Sequence, residues 1–208
     1  MYKQINERFM KIAFLVAAHT DIEQLKRLSK SLLKNGDVYI HIDAKVKNIT
    51  DFINQLTFNT LSYSQGNKII FLKNRVSVAW GGYSQIKCQS LLFQQALNSS
   101  QKYERFVYLS GLDYPIYSPK EIQTYFEKYP DTEFVCGYNI SKSKNRTQLN
   151  RIQLYHFFRD IPLPHKSFIR RCLIGGTKLA LKYLGFRRKP YLNINGQNWD
   201  IYYGSQWI

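Results

Sequence analysis

Short, almost wholly apolar runs alternate with amphipathic helical stretches from Lys11 to Cys136, and that alternation leaves few folds open to the chain. The first run, Lys11 to Ala18 (KIAFLVAA), shows no polar/apolar alternation, so it reads as a strand buried on both faces of a parallel sheet. It ends at His19-Thr20. Asp21 can cap a helix whose apolar residues Ile22, Leu25, Leu28, Leu32 and Leu33 recur at helical spacing as far as Asn35-Gly36, a stop signal. Val38 to Ile42 (VYIHI) follows as a second strand leading to Asp43, which completes a βαβ unit with a right-handed crossover. The same reasoning predicts helices over 49–56, 83–96 and 119–126, the last with proline in its first turn, and strands over 68–72, 106–109 and 133–136. Repeated βα units give an α/β fold, an open and mostly parallel sheet with helices on both faces, Rossmann-like in its first half.

In such sheets ligands bind beyond the carboxyl ends of the strands. Polar residues at three of those ends are therefore candidates: His19, Asp43 and Asp113. Each carries a plainer reading as well. Asp43 can cap the strand end or bind a ligand. His19 can be a hydrogen-bonded turn residue. Asp113, in LDYP, can shape the turn before a helix or contact a substrate, and Trp80 beside Gly81-Gly82 can wall a ligand or pack under a glycine turn. No G-x-G-x-x-G follows the first strand and no G-x-x-x-x-G-K-[ST] occurs, which counts against dinucleotide enzymes and P-loop phosphotransferases. Cys88, Cys136 and Cys172 are far apart without C-x-x-C spacing, against both a disulfide framework and a zinc site. No D-x-D pair follows a strand, since Asp43 is succeeded by Ala44 and Lys45. That leaves no carboxylate pair after a strand to hold a metal, Arg and Lys are the available source of positive charge, and no metal or cofactor is expected.

Charge is unevenly spread. Net charge is +16, and from Lys142 to Lys189 thirteen Lys or Arg face the single acid Asp160. That stretch calls for an anionic partner: a nucleotide diphosphate, anionic lipid or nucleic acid. Within it, Ile169, Cys172, Leu173, Leu179, Ala180, Tyr183 and Leu184 alternate with basic residues, as in an amphipathic helix that lies on an anionic membrane or packs on a core with its basic face solvated. The polar start, Met1 to Phe9, has no apolar core region and no run of 18 apolar residues follows. The expectation is a cytoplasmic protein, peripheral at the inner membrane face if the basic helix binds lipid. Three segments are expected: a 1–9 extension, a 10–137 ligand-binding α/β domain and a basic 138–208 segment.

Four segments in order, VAAH (Val16 to His19), IHIDAK (Ile40 to Lys45), SVAWGGYSQ (Ser77 to Gln85) with LSGLDYPI (Leu109 to Ile116), and GSQW (Gly204 to Trp207), together resemble the core-2/I-branching β-1,6-N-acetylglucosaminyltransferases, the peptide O-xylosyltransferases and their bacterial relatives. The resemblance implies a GT-A-like fold and inverting, metal-independent transfer of a GlcNAc- or xylose-type sugar from a UDP-sugar to an acceptor hydroxyl, on a glycan or a lipid-linked acceptor. Carried across, it assigns donor uracil and ribose contacts to Ala18, His19 and Asp43. Ser77 stands where some members carry a donor-contacting tyrosine, and Trp80, Asp113, Ser205 and Trp207 fall on the donor-sugar or acceptor side. The family's catalytic glutamate and diphosphate-binding basic pair lie C-terminal to GS-x-W, so they are expected beyond Ile208. The competing expectation is a basic non-catalytic module for nucleic acid or anionic membrane, with Tyr155, Phe157, Phe158 and Tyr183 available for base stacking.

Overall fold

The computed structural model describes residues 10–57, 66–161, 163–164 and 166–204. These divide into two compact units, 10–78 with 84–133, and 79–83 with 134–204.

In the first unit, β1 (Ile12–Ala18), α1 (Ile22–Leu32), β2 (Gly36–Ile42), α2 (Ile49–Thr57), β3 (Ile69–Phe71), α3 (Tyr83–Leu97), β4 (Arg105–Ser110) and α4 (Pro119–Lys128) follow one another. The strands form one sheet of order β3-β2-β1-β4. Every pairing is parallel, with Ile12 opposite Gly36 and Arg105, and Ala17 opposite His41 and Ser110. Chain order dictates where the helices go. The crossovers through α1 and α2 step from β1 toward β3, whereas α3 carries the chain back past β2 and β1 to β4. Right-handed connections that run in opposite directions cover opposite faces. Accordingly Leu25, Leu28 and Leu32 of α1 and Phe52 and Leu56 of α2 pack with Phe14, Val16 and Ile40 on one face. Cys88, Leu92 and Ala96 of α3 pack with Ala13, Leu15 and Tyr39 on the other. The unbroken apolar run of β1 is thus consumed from both sides, the α/β arrangement anticipated from sequence.

Local chemistry fixes the ends. Asp21, in left-handed backbone at φ 52°, caps α1 by accepting from the Gln24 amide at 2.9 Å. Ser118 and Glu121 form a reciprocal capping box at α4, with Pro119 in the first turn. One expected strand is not formed: Glu133–Cys136 belongs to no strand, and Val135 is exposed. A tetrapeptide that starts on Glu133 and leaves Val135 and Cys136 exposed gains little from pairing at a sheet edge. The strand lies just beyond, in the second unit, where β5 (Gly137–Asn139) pairs antiparallel with β8 (Tyr202–Gly204). That unit also holds α5 (Arg146–Gln153), α6 (Phe168–Tyr183) and a hairpin of β6 (Tyr191–Ile194) and β7 (Gln197–Asp200). The hairpin turns on Asn195-Gly196, with φ of 51° and 83°, the positive pair that a type I′ turn requires.

Candidate functional site

The switch in strand order falls between β1 and β4, and there the carboxyl edge is drawn together by backbone bonds. The Asp43 amide donates to the Ala18 carbonyl at 2.8 Å, and the Gly111 amide donates to the Ala17 carbonyl at 2.8 Å. β1 therefore emerges with Asp43 on one flank and the Gly111 turn on the other. Gly111 approaches so closely that a Cβ there would lie 3.0 Å from the Ala18 methyl. Ala18 is buried, while His19 is exposed at the rim.

Asp113 shapes its own turn. One carboxylate oxygen accepts from the Ser110 amide at 2.7 Å, and the Asp113 amide donates to the Ser110 carbonyl at 3.0 Å. Its carbonyl accepts from Gln24 Nε2 at 3.0 Å, which joins the turn to the first turn of α1, and Arg27 lies over the Tyr114 ring at 5.6 Å. His19, Asp43 and Asp113 thus occupy neighbouring strand ends on a single edge.

Asp43 is buried and committed. Its Oδ1 accepts from the Lys45 amide at 2.8 Å, and its Oδ2 accepts from the Val78 amide at 3.3 Å with Lys45 Nζ 3.4 Å away. The segment 75–78 is strapped to the end of β2 at every second residue. Val76 donates its amide to His41 Nε2 at 2.9 Å and accepts from the Ala44 amide at 3.0 Å, and Val78 accepts from Lys45 Nζ at 2.5 Å. Arg75 spreads its guanidinium over the carbonyls of Ile42, Asp43 and Val46 at 2.6–3.0 Å. Ser77, between the two strapped residues, is left exposed at this edge. Sequence reasoning passed over Arg75 and His41. The signal for His41 was its place in an otherwise apolar strand; Arg75 had none, because its partners are backbone carbonyls.

Burial holds the His41 imidazole below its ordinary pKa of 6.5, more than the nearby Asp43 charge raises it. A ring that accepts the Val76 amide through Nε2 must be neutral there. The consequence has a definite sign. Above about pH 6.5 both folded and unfolded rings are neutral. As pH falls through that value the unfolded chain takes the proton first, so stability declines down to the folded pKa. Urea midpoints should fall between about pH 7.5 and pH 5.5. His156, also held down by burial, contributes in the same direction. A His41→Phe variant should therefore show a shallower slope, and an unchanged slope would remove His41 from the account. Deeper under this edge, burial pushes the Cys88 thiol up to about 12 and raises Tyr108 as well, so neither is poised for chemistry near neutrality.

The remaining candidates belong to the second unit or lie outside the described residues. Trp80 is 69% exposed, so it does not pack under its glycine turn. Asp160 fills that space instead: its carboxylate sits where a Gly82 side chain would, and accepts from the Tyr83 amide at 2.9 Å. The lone acid of the basic segment thus serves a backbone amide of the 80–83 turn. Ser205 and Trp207 lie outside the described residues. Of the aromatics weighed for base stacking, Tyr155 already has Phe157 stacked at 5.9 Å and Arg188 over its ring at 4.3 Å. Among the described residues no three His, Cys, Asp or Glu side chains cluster as metal ligands would.

The parallel α/β sheet agrees with a comparison to known proteins: residues 12–208 match the model of the Core-2/I-Branching enzyme family. The chain belongs to that family. It is also similar to a xylosyltransferase of Ciona intestinalis, 26% identical over 149 residues, which cover 70% of this chain and 17% of that relative. As a member of the Core-2/I-Branching family, the protein has a GT-A-like α/β fold with its switch point at β1 and β4.

Proposed function

We propose that this Core-2/I-Branching family member is an inverting glycosyltransferase that moves a GlcNAc- or xylose-type sugar from a UDP-sugar to a hydroxyl of a glycan or lipid-linked acceptor, without a metal. One observation carries the reading: the β1, β2 and β4 ends are bonded into a single edge at the switch point, where this class of sheet holds nucleotides. In this reading buried Ala18 and Asp43 lie beneath the donor, exposed His19 and Ser77 meet its uracil and ribose, and Asp113 serves the sugar or acceptor. Inverting transfer needs a base for the acceptor hydroxyl and positive charge for the departing diphosphate. Asp43 has cationic Lys45 beside it rather than a second carboxylate, in keeping with metal-free stabilisation of an anion.

The test is thermal. At about 100 times its dissociation constant, UDP should add about 2.7 kcal/mol of stability. For a chain of this size that is a rise of roughly 5–10 °C in melting temperature. ADP should do far less. His19→Ala, a change at an exposed residue, should leave the ligand-free melting temperature alone and shrink the UDP shift. Equal protection by UDP and ADP, or none by either, would refute the reading.

A further inference from the structure

Helix α6 leaves its most hydrophobic face exposed. Phe168, Ile169, Leu179 and Tyr183 are 73%, 61%, 68% and 91% exposed. At 3.6 residues per turn they share one arc of about 140° with Leu173 and Ala180. A basic stripe of Arg171, Lys178 and Lys182, all exposed, borders that arc. The third side faces inward and is held there by Arg170. This residue is 5% exposed, and its guanidinium donates to the carbonyls of Arg159 at 2.7 Å and Leu163 at 3.1 Å. The roll of the helix is therefore fixed with the apolar arc outward. The apolar arc is thus not packed on a core, as one of the two readings of the sequence expected, while the basic stripe beside it is solvated.

Charge decides between occupants. Thirteen Lys or Arg against one acid over 142–189 make this segment repel a second copy of itself, whereas an anionic bilayer supplies both apolar depth and compensating charge. Beyond the helix, exposed Leu184 and Phe186 and then Arg187, Arg188 and Lys189 extend the same combination. We propose that α6 docks on an anionic lipid surface, with Phe168, Ile169, Leu179 and Tyr183 among the headgroups and Arg171, Lys178 and Lys182 on lipid phosphates.

Co-sedimentation of the 208-residue chain with vesicles tests this. The protein should bind phosphatidylcholine vesicles containing roughly a third phosphatidylglycerol, bind pure phosphatidylcholine weakly, and release as salt rises. Ile169→Ser with Leu179→Ser should lower partitioning at least about 10-fold. Replacing Arg171, Lys178 and Lys182 with glutamine should lower it on the order of 100-fold. Both sets change outward-facing residues, so melting curves should match the parent and exclude misfolding as the cause. Three results would each overturn the proposal: equal binding to neutral and anionic vesicles or none to either, full binding by the serine variant, or a lipid-free oligomer that the serine changes dissolve.

Discussion

Gly36→Ala is expected to cost about 3 kcal/mol or more, because the new methyl group has nowhere to go. Gly36 opens β2 directly opposite Ile12 of β1, and an added Cβ would fall well inside contact distance of the Ile12 carbonyl and 3.1 Å from its Cβ. The obstacle is backbone, so no rotamer change relieves it. Either β1 and β2 separate at their first pair or the register breaks, and both lie at the centre of the sheet. For a chain of this length the loss corresponds to a fall of roughly 6–12 °C in melting temperature, read by far-ultraviolet circular dichroism. Gly176→Ala is the contrasting case. It sits inside α6 with nothing within 4 Å of the place its new methyl group would take, so the exchange should stabilise by about 0.5–1 kcal/mol through helix propensity alone. Equal effects at the two sites would mean that close strand approach does not explain Gly36.

Gly36 also shows how a correct expectation can rest on the wrong cause. Asn35-Gly36 was legible as the end of α1, yet α1 is closed by Leu33 in right-handed backbone, and Gly36 is needed for proximity to β1. The four parallel strands and α1 to α4 were readable because both faces of the sheet are buried, which leaves uninterrupted apolar runs in β1 and β2 and helical periodicity in α1. The second unit was far less so. β5 depends on β8 more than sixty residues away, and no local pattern announces such a partner. The β6–β7 hairpin is different: Asn195-Gly196 between alternating residues is a strong turn signal that went unused, overshadowed by the density of charge just before it.

At the candidate site, position was legible and commitment was not. Strand-end placement put His19, Asp43 and Asp113 on one edge, and the backbone bonds that join β1 to its neighbours support that grouping. What the sequence concealed is that Asp43 and Asp113 already serve backbone amides, and that Arg75 and His41 secure the 75–78 segment. Backbone acceptors and donors leave no trace in residue identity, so a side chain that serves them looks unemployed.

Asp43 is the most informative residue to change, because the donor contact proposed for it comes on top of the backbone bonds it already makes. Its carboxylate offers about four acceptor positions, and the Lys45 amide, the Val78 amide and Lys45 Nζ occupy three, which leaves room for one ligand donor. Asp43→Ala should cost about 2–4 kcal/mol, chiefly because two amides lose their acceptor at a buried strand end. The Lys45 ion pair adds little, since the lysine side chain is 61% exposed and screened by water. Loss of UDP protection in that variant would follow from a displaced 75–78 segment as readily as from a missing contact. Asp43→Asn separates the two, because its carbonyl oxygen keeps one amide in place and its volume holds the turn. If Asp43 accepts a hydrogen bond from the nucleoside, the asparagine variant should melt within about 1–2 kcal/mol of the parent, yet bind UDP about 10-fold more weakly. If UDP affinity instead follows stability alone, unchanged in the asparagine variant and lost in the alanine one, Asp43 is a positioning residue, and the nucleoside contact passes to exposed Ser77 and His19.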